Sequence, residues 1–542
     1  MSEQGELKTQ STTKGFAILT AAGFMVKFLS LLYVPFLSKI LGGDGIGVYA
    51  SAYNIFTYMY ILTNAGIPVA ISKMVSELIA LGNYKDAVRT FKIARFLLLI
   101  LGIVMSILML VFVVPIANAA QSAPSKLAIM ALAPTILLSS VLSAYRGYFQ
   151  GRGNMTPTAV SQVFEQIANT IFSLVFAACF IKYGVEAGAA GGTIGTSVGA
   201  LVAVIYMIHF YEKNKVFRVP KGYSQLSIKR YTTKKIIKKL LSVAIPMTIC
   251  LGIQQSGLFI DLWLVKSRMI SFGMTKVQAS VLWGVLFKYT TLINVPIAII
   301  SSLAITILPS ISSLMALKDK KAVRNKINYA FRLCFLVAVP CAVGLAVLAG
   351  PVVYLIQYGS SVARLLIYGS VVIILMAVVS IQTSILQGIG KVYLVTIYAF
   401  LGIIGKIITN YIFVAIPSIN ILGAIMGNAA SFAILLILNY ITINKVLKVR
   451  IKLFSHAIKP IIASVVMAIV AKIVYSNFNI LLGFVNKGYF ANAIALLIAI
   501  GLAVLTYFFT LVFIGGLTKE DLEIFPRKIT KLIPKSILSR IK

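Results

Sequence analysis

The chain has 542 residues, of which 59% are hydrophobic, and its mean hydropathy is +0.96. A soluble protein of this length needs far more polar surface, so the composition excludes a soluble globular fold and predicts a polytopic membrane protein. The 50 Lys and Arg residues exceed the 13 Asp and Glu residues by 37 charges. In a soluble protein that excess would indicate nucleic-acid binding, but these basic residues lie mostly between apolar runs, which indicates membrane orientation and contact with anionic headgroups.

Fourteen apolar runs are long enough, at about 20 residues each, to cross a hydrocarbon layer of roughly 30 Å. They predict an all-α polytopic membrane protein with about 14 transmembrane helices. The predicted spans are 15–41, 47–72, 91–117, 125–150, 158–183, 188–211, 240–265, 280–308, 327–356, 362–388, 392–415, 420–444, 456–476 and 489–516.

The loops between these spans differ in charge. Loops after even-numbered spans carry clusters of Lys and Arg, and the loop after the sixth span holds ten between Lys213 and Lys239. Loops after odd-numbered spans, such as LGGDGIG and AIPSIN, are nearly uncharged. The positive-inside rule therefore predicts a multi-pass protein with both termini in the cytoplasm.

Three short segments recur in the same order further along the chain, at nearly one offset. SELIALGNYKDAVR (76–89) resembles SSLMALKDKKAVR (312–324), YFQGRGN (148–154) resembles ILQGIGK (385–391), and GAAGGTIG (188–195) resembles GAIMGNAA (423–430). The shared offset indicates two six-span repeats, which are parallel because six is even, and this is a transporter architecture. The predicted organisation is an N-terminal segment (1–14), an N-lobe (15–212), a basic loop (213–239), a C-lobe (240–446), two further spans (456–516) and a basic tail (517–542).

Several longer motifs resemble one family. They are GDGIGVYASAYNIF (43–56), AGIPVAISKMVSE (65–77), RGYFQGRGNMTPTAVSQVFEQ (146–166) and LINVPIAIISSLAITILPSIS (292–312). The chain is similar, over roughly residues 12–450, to the MurJ-like lipid flippases of the MOP superfamily, in the branch of stage V sporulation protein B. The resemblance implies fourteen helices, a central cavity, alternating access and a polyprenyl-pyrophosphate-linked saccharide as cargo, with the peptidoglycan precursor lipid II as the first candidate.

Charges inside spans are expensive and usually face a cavity or a partner. Lys27 and Lys406 fall near the middle of their spans, too deep for a Lys side chain to reach the headgroups. On opposite lobes, the two ammonium groups could flank one pyrophosphate as point charges; the alternative is pairing with polar neighbours. The lipid II flippases carry cavity arginines on the first, second and eighth helices, whereas this chain has Lys27 on the first and Lys288 on the eighth, with Thr291 where an arginine is expected.

Glu165 and Asp261 are the acidic residues well within the predicted spans. Arg146 and Glu165 lie on either side of a Gly-rich turn, which predicts an ion pair that locks the hairpin, with gating of the cytoplasmic mouth as a sharper hypothesis. Asp261 is predicted to pair with Lys288; in the alternative, Lys288 lines the cavity and Asp261 tunes it or takes part in ion coupling. Lys266, beside a span end, is interpreted as an anchor that reaches the headgroups.

The sequence contains no nucleophile–base pair, metal-ligand cluster or phosphate-binding loop, which argues against an enzyme, a bound metal or a cofactor. Energy would then come from an ion gradient or the membrane potential. The expected partners are the lipid-linked saccharide, membrane lipids and the cell-wall synthesis machinery. Three alternatives stay open: a flippase for another lipid-linked oligosaccharide, a cation-coupled multidrug exporter, and a non-transporting scaffold in sporulation or wall assembly.

Overall fold

The fold comes from a computed structural model. It describes residues 12–64, 66–214, 230–316, 319–448, 451, 453–483 and 488–517. Within them every regular element is a helix, because in hydrocarbon a helix satisfies its own backbone groups. Most of the predicted N-terminal segment, the central part of the basic loop and nearly all of the basic tail lie outside the described residues.

The chain forms two compact units, Met1–Phe287 and Lys288–Lys542. The helices of the first unit are α1 (Thr12–Asn64), α2 (Gly66–Ala80), α3 (Tyr84–Val111), α4 (Val113–Ala119), α5 (Lys126–Gly151), α6 (Thr156–Phe180), α7 (Val185–Lys213), α8 (Thr233–Ser271) and the start of α9 (Lys276–Ala316). The second unit holds the rest of α9 and then α10 (Lys320–Val347), α11 (Ala349–Leu355), α12 (Ser360–Gly369), α13 (Val371–Gly388), α14 (Val392–Phe413), α15 (Leu422–Leu447), α16 (Ser455–Gly483) and α17 (Tyr489–Phe513).

The predicted multi-pass helical fold is confirmed. Thirteen stretches of the described chain are long and apolar enough to cross a membrane. The first, Ala21–Ile79, is 59 residues long and contains Gly42, whose φ of 70° kinks the helix. Glycine adopts this left-handed backbone without steric cost. The kink divides the stretch into the first two predicted spans, so the fourteen predicted crossings are all represented.

The internal repeat is visible in the backbone. Short helices α4 and α11 start at positions 113 and 349, which matches the offset of the sequence repeat, and each follows a long helix after a one-residue interruption. Helices α3 and α10 start at positions 84 and 320, and the N-cap side chains of Asn83 and Asp319 each accept from the N–H three residues ahead. Left-handed residues recur in pairs at nearly the same offset: Gln121 with Gln357, Gly153 with Gly390, and Gly184 with Asn420.

The span predicted over 362–388 is wrong in one respect, because two helices meet there. The break between α12 and α13 falls at Ser370. The hydroxyl of Tyr289 donates to the carbonyl of Gly369 at 2.9 Å. This carbonyl therefore accepts a hydrogen bond from a residue of α9. Apolar periodicity cannot predict such a tertiary contact.

The small residues over 188–200 allow close helix packing. Helices α6 and α7 pack so closely that a Cβ at Gly199 would lie 2.5 Å from the carbonyl oxygen of Glu165. A Cβ at Gly195 would overlap Ser173. Small residues at this spacing allow two membrane helices to approach at backbone distance.

Helix α17 compensates for a proline in α10. Pro340 has no N–H, so the carbonyl of Leu336, four residues earlier, loses its donor within the helix. The hydroxyl of Tyr507 on α17 donates to that carbonyl at 2.9 Å. The contact joins α17 to α10 at the carbonyl that Pro340 leaves without a donor.

We expect Tyr507→Phe to lower the free energy of unfolding by about 1 kcal/mol, because it leaves the Leu336 carbonyl without a donor. The matched control is Tyr393→Phe, since Tyr393 is 82% exposed. Unfolding in mixed detergent and lipid, followed by circular dichroism, measures both. Equal stability of the two variants would show that the hydroxyl contributes nothing.

Candidate functional site

The predicted ion pair between Arg146 and Glu165 is present. Nη2 of Arg146 donates to Oε2 of Glu165 at 2.7 Å, and Nε donates to the hydroxyl of Ser161 at 3.0 Å. The two charged side chains are 14% and 27% exposed. The guanidinium therefore joins α5 to α6 through two hydrogen bonds, of which the charged one is the stronger.

The neighbouring aromatic residues orient Arg146. Tyr145 and Tyr148 of α5 are buried against Phe91 of α3, with ring centroids 5.0 and 4.7 Å from it. Tyr211 of α7 completes the cluster, 5.1 Å from Phe91. Since these residues fix one side of α5 in an aromatic core, Arg146 points to the other side, where α6 lies.

Two glycines on α5 bring this turn close to α2. A Cβ at Gly147 would lie 2.7 Å from the carbonyl of Pro68, and one at Gly151 would lie 2.6 Å from the carbonyl of Ser72. The Gly-rich turn that recurs in the second repeat therefore serves packing. The charges at positions 146 and 165 have no counterpart there, because Thr383 and Gly402 stand at the corresponding positions of the second repeat.

Lys27 is an exposed charge on the first span. It lies 15 residues after the start of α1 at Thr12 and 15 before the kink at Gly42, about 22 Å from each at the helical rise of about 1.5 Å per residue. No hydrogen bond or ion pair joins its ammonium group to another residue in the described part of the chain. An ammonium at this depth needs water or an anionic group beside it.

Lys288 is buried in the second unit, and its ammonium lies 5.4 Å from the centroid of the Tyr358 ring. A cation over an aromatic face is stabilised by the ring quadrupole. Asp261 is buried on α8, in the first unit. Its predicted pairing with Lys288 stays a prediction.

Lys406 is also buried, on the face of α14 that carries Gly402 and Asn410. Helix α14 packs against α15, much as α6 packs against α7 in the first repeat. By the sequence repeat, Lys406 corresponds to Asn169, whose side-chain oxygen accepts from Ser173 at 2.9 Å. Lys406 therefore occupies a position that, in the first repeat, holds a polar contact inside the lobe.

The interpretation of Lys266 as a headgroup anchor is wrong. The sequence predicts that it reaches the headgroups from a span end, but its exposed fraction is 0%. Its ammonium donates to the hydroxyl of Ser51 on α1 at 2.7 Å. The sequence does not show the burial of Lys266 for two reasons. Helix α8 continues to Ser271, beyond the predicted end at 265, and the burial depends on a distant segment of the chain. Within the described residues, no cluster of three or more His, Cys, Asp or Glu could hold a metal ion.

Comparison with known proteins places this arrangement in a family. The sequence profile of a family described as "Polysaccharide biosynthesis protein" matches residues 12–315, more than half of the chain. The chain is 27% identical over 453 residues to stage V sporulation protein B of Bacillus subtilis (strain 168), covering 83% of this chain and 86% of that protein. It is 24% identical over 490 residues to lipid II flippase MurJ of the same organism, covering 85% and 88%.

The fold is similar to a solved structure of lipid II flippase MurJ in an inward closed conformation. The TM-score is 0.67 at 16% sequence identity, and the match covers 92% of this chain and 98% of the other. The resemblance inferred from the sequence motifs is thereby confirmed, and so is a multi-pass membrane protein.

We expect Glu165→Gln to lower the free energy of unfolding by about 2 kcal/mol, because it leaves the part-buried guanidinium of Arg146 without its anion. The control is Glu186→Gln, at an exposed position on α7. The double reversal Arg146→Glu with Glu165→Arg should recover most of the loss. Thermal stability and membrane level measure all three, and no recovery in the double variant would mean that the pair itself is not what stabilises the hairpin.

Proposed function

Because the chain belongs to the polysaccharide biosynthesis protein family, we propose that it is a flippase that moves a polyprenyl-pyrophosphate-linked saccharide, with lipid II as the expected cargo, across the bacterial cytoplasmic membrane. Movement would occur by alternating access, with no covalent step. The observation that carries the proposal is Lys27, an exposed ammonium in the middle of a span.

The sign of the embedded charges favours an anionic cargo. Lys27, Lys288 and Lys406 lie well inside their predicted spans, whereas the acidic residues well inside predicted spans are Glu165 and Asp261. Arg146 already neutralises Glu165. A positive excess attracts pyrophosphate and repels the cationic compounds that a multidrug exporter would carry.

Lys27 is the strongest candidate for cargo contact. It is exposed, whereas Lys288 and Lys406 are 8% and 6% exposed. A compact ammonium on a flexible stem suits a diphosphate that must be bound and then released. A bound anion would also replace the water that the charge needs at this depth.

The membrane potential can drive such a cargo outward. An inside-negative potential supplies about 2.3 kcal/mol per elementary charge for each 100 mV. A pyrophosphate with a negative charge is pushed from the cytoplasmic to the outer leaflet, and the emptied basic site is drawn back. Transport driven in this way requires no bound cofactor.

Depletion of the protein in cells that lack any redundant flippase tests the proposed function. We expect lipid II exposed on the outer leaflet to fall by at least tenfold, because its translocation is blocked while its synthesis continues. Exposure is measured by labelling intact cells with a lipid II-specific probe. Undiminished exposure would refute lipid II transport and direct the test to other lipid-linked saccharides.

We expect Lys27→Ala to reduce transport of fluorescent lipid II in reconstituted vesicles by about tenfold or more, the loss that follows from removing a charged hydrogen bond. Lys27→Arg should retain most of the flux, because a guanidinium also binds phosphate. Lys276→Ala, at an exposed helix end, is the matched control. Full flux in Lys27→Ala at normal protein level would remove this residue from the site.

A further inference from the structure

Helix α6 is polar on one face along part of its membrane-spanning length. Four side chains at helical spacing form this face: Gln162, Glu165, Gln166 and Asn169. On the opposite face, Phe164 and Ile171 are 44% and 53% exposed. Polar side chains in a span face the interior of the bundle or a water-filled cavity. Because the glutamines and the glutamate stay partly exposed, while Asn169 is buried, the polar face borders a cavity.

Helix α1 places a row of aromatic rings beside this face. The rings of Tyr49, Tyr53, Phe56 and Tyr60 follow one another with centroids 5.8, 6.0 and 5.9 Å apart. Tyr53 and Tyr60 are half-buried, and both interact electrostatically with the carboxylate of Glu165. Helices α1 and α6 therefore bring two phenol groups and a carboxylate together. The α1–α6 polar surface comprises Tyr53, Tyr60, Arg146, Gln162, Glu165 and Gln166.

Several hydrogen-bonding groups of the α1–α6 polar surface are available to a ligand. Arg146 donates through Nε and Nη2, and Glu165 accepts through Oε2. Nη1 of Arg146 and Oε1 of Glu165 have no recorded partner among the described residues, and neither does the side-chain amide of Gln162. The surface therefore offers both donors and acceptors, which bind water or the polar groups of a ligand.

The charge of the α1–α6 polar surface is balanced. Arg146 neutralises Glu165, and the other four side chains are uncharged. The surface therefore has no net charge to attract a diphosphate, in contrast to Lys27. Its amide, carboxylate and guanidinium groups suit hydroxyl groups, and a tyrosine ring offers an apolar face to the C–H groups of a sugar ring. This combination fits a neutral, polyhydroxylated ligand.

The second repeat has no such polar face on the corresponding helix, α14. The residues at the positions of the two glutamines and the glutamate are Ala399, Gly402 and Ile403. The duplicated backbone path therefore does not require polar side chains here. Helix packing explains neither the amides nor the carboxylate of the first repeat, so they have a role beyond the fold.

We propose that the α1–α6 polar surface binds the saccharide of the cargo, whereas Lys27 binds its pyrophosphate. The two determinants differ in chemistry, because one recognises hydroxyl groups without net charge and the other recognises an anion. A site built to hydrogen-bond a ligand discriminates strongly against an analogue that lacks the bonding groups. The first unit then selects among lipid-linked saccharides. This assignment rests on the proposed function.

The test compares three ligands of the native chain in nanodiscs. The first is undecaprenyl-pyrophosphoryl disaccharide, which is lipid II without its peptide, and the second is undecaprenyl pyrophosphate, which lacks the saccharide. The third is the free disaccharide. Native mass spectrometry gives the dissociation constants of the two lipids, and saturation-transfer NMR detects the sugar alone. The ratio of the two lipid constants within one variant cancels any loss of folded protein.

We expect Gln162→Leu to weaken binding of the saccharide-bearing lipid by about fivefold to tenfold, the loss that follows from removing one hydrogen bond in a binding site. Its affinity for undecaprenyl pyrophosphate should stay unchanged. Lys27→Ala should weaken the binding of both lipids, because both carry the diphosphate. The matched control is Phe164→Leu, on the opposite face of α6, which should change neither constant.

Two outcomes would overturn the saccharide site. Equal weakening of both lipids in Gln162→Leu would assign this residue to the pyrophosphate or to the shape of α6. Unchanged binding of both would show that the surface holds water only. The free disaccharide separates this proposal from the proposed function. If the native chain binds the sugar through Gln162 but moves no lipid II, the flippase function fails and the saccharide site stands.

Discussion

Hydrocarbon offers no hydrogen bonds, and this one constraint governs most of the structure. Each backbone carbonyl released from a helix needs a partner in the protein, as the Leu336 carbonyl finds the Tyr507 hydroxyl. Each charge within a span needs an opposite charge, an aromatic face or water. Arg146 has the carboxylate of Glu165, and Lys288 has the ring of Tyr358.

The same constraint is met in different ways at two buried charges. The Arg146–Glu165 pair satisfies its charges on adjacent helices of one unit, beside a buried aromatic cluster. At Lys266 the buried ammonium instead donates to the Ser51 hydroxyl of a helix distant in sequence, beside close backbone contact between Gly47 and Ser280.

Local pattern predicted most of the fold and part of the site. The spans follow from apolar length, the repeat from a shared offset, and the Arg146–Glu165 pair from two charges flanking one turn. Contacts between distant segments could not be predicted in this way. Burial of Lys266 depends on Ser51, 215 residues away, and the break at Ser370 involves Tyr289, 80 residues from the carbonyl that it binds. A single sequence without an alignment carries no signal for either contact.

The two repeats share a backbone path but differ in their charged side chains. Left-handed residues, helix starts and N-caps recur at nearly one offset, so the duplicated part is the backbone path. The charges do not recur: Glu165 corresponds to Gly402, and Asn169 corresponds to Lys406. A fold alone does not specify a cargo, because transporters of one architecture carry different substrates. Cargo selectivity must therefore be sought in side chains that distinguish the repeats. Lys27 meets that condition, because Trp263 stands at the corresponding position of the second repeat.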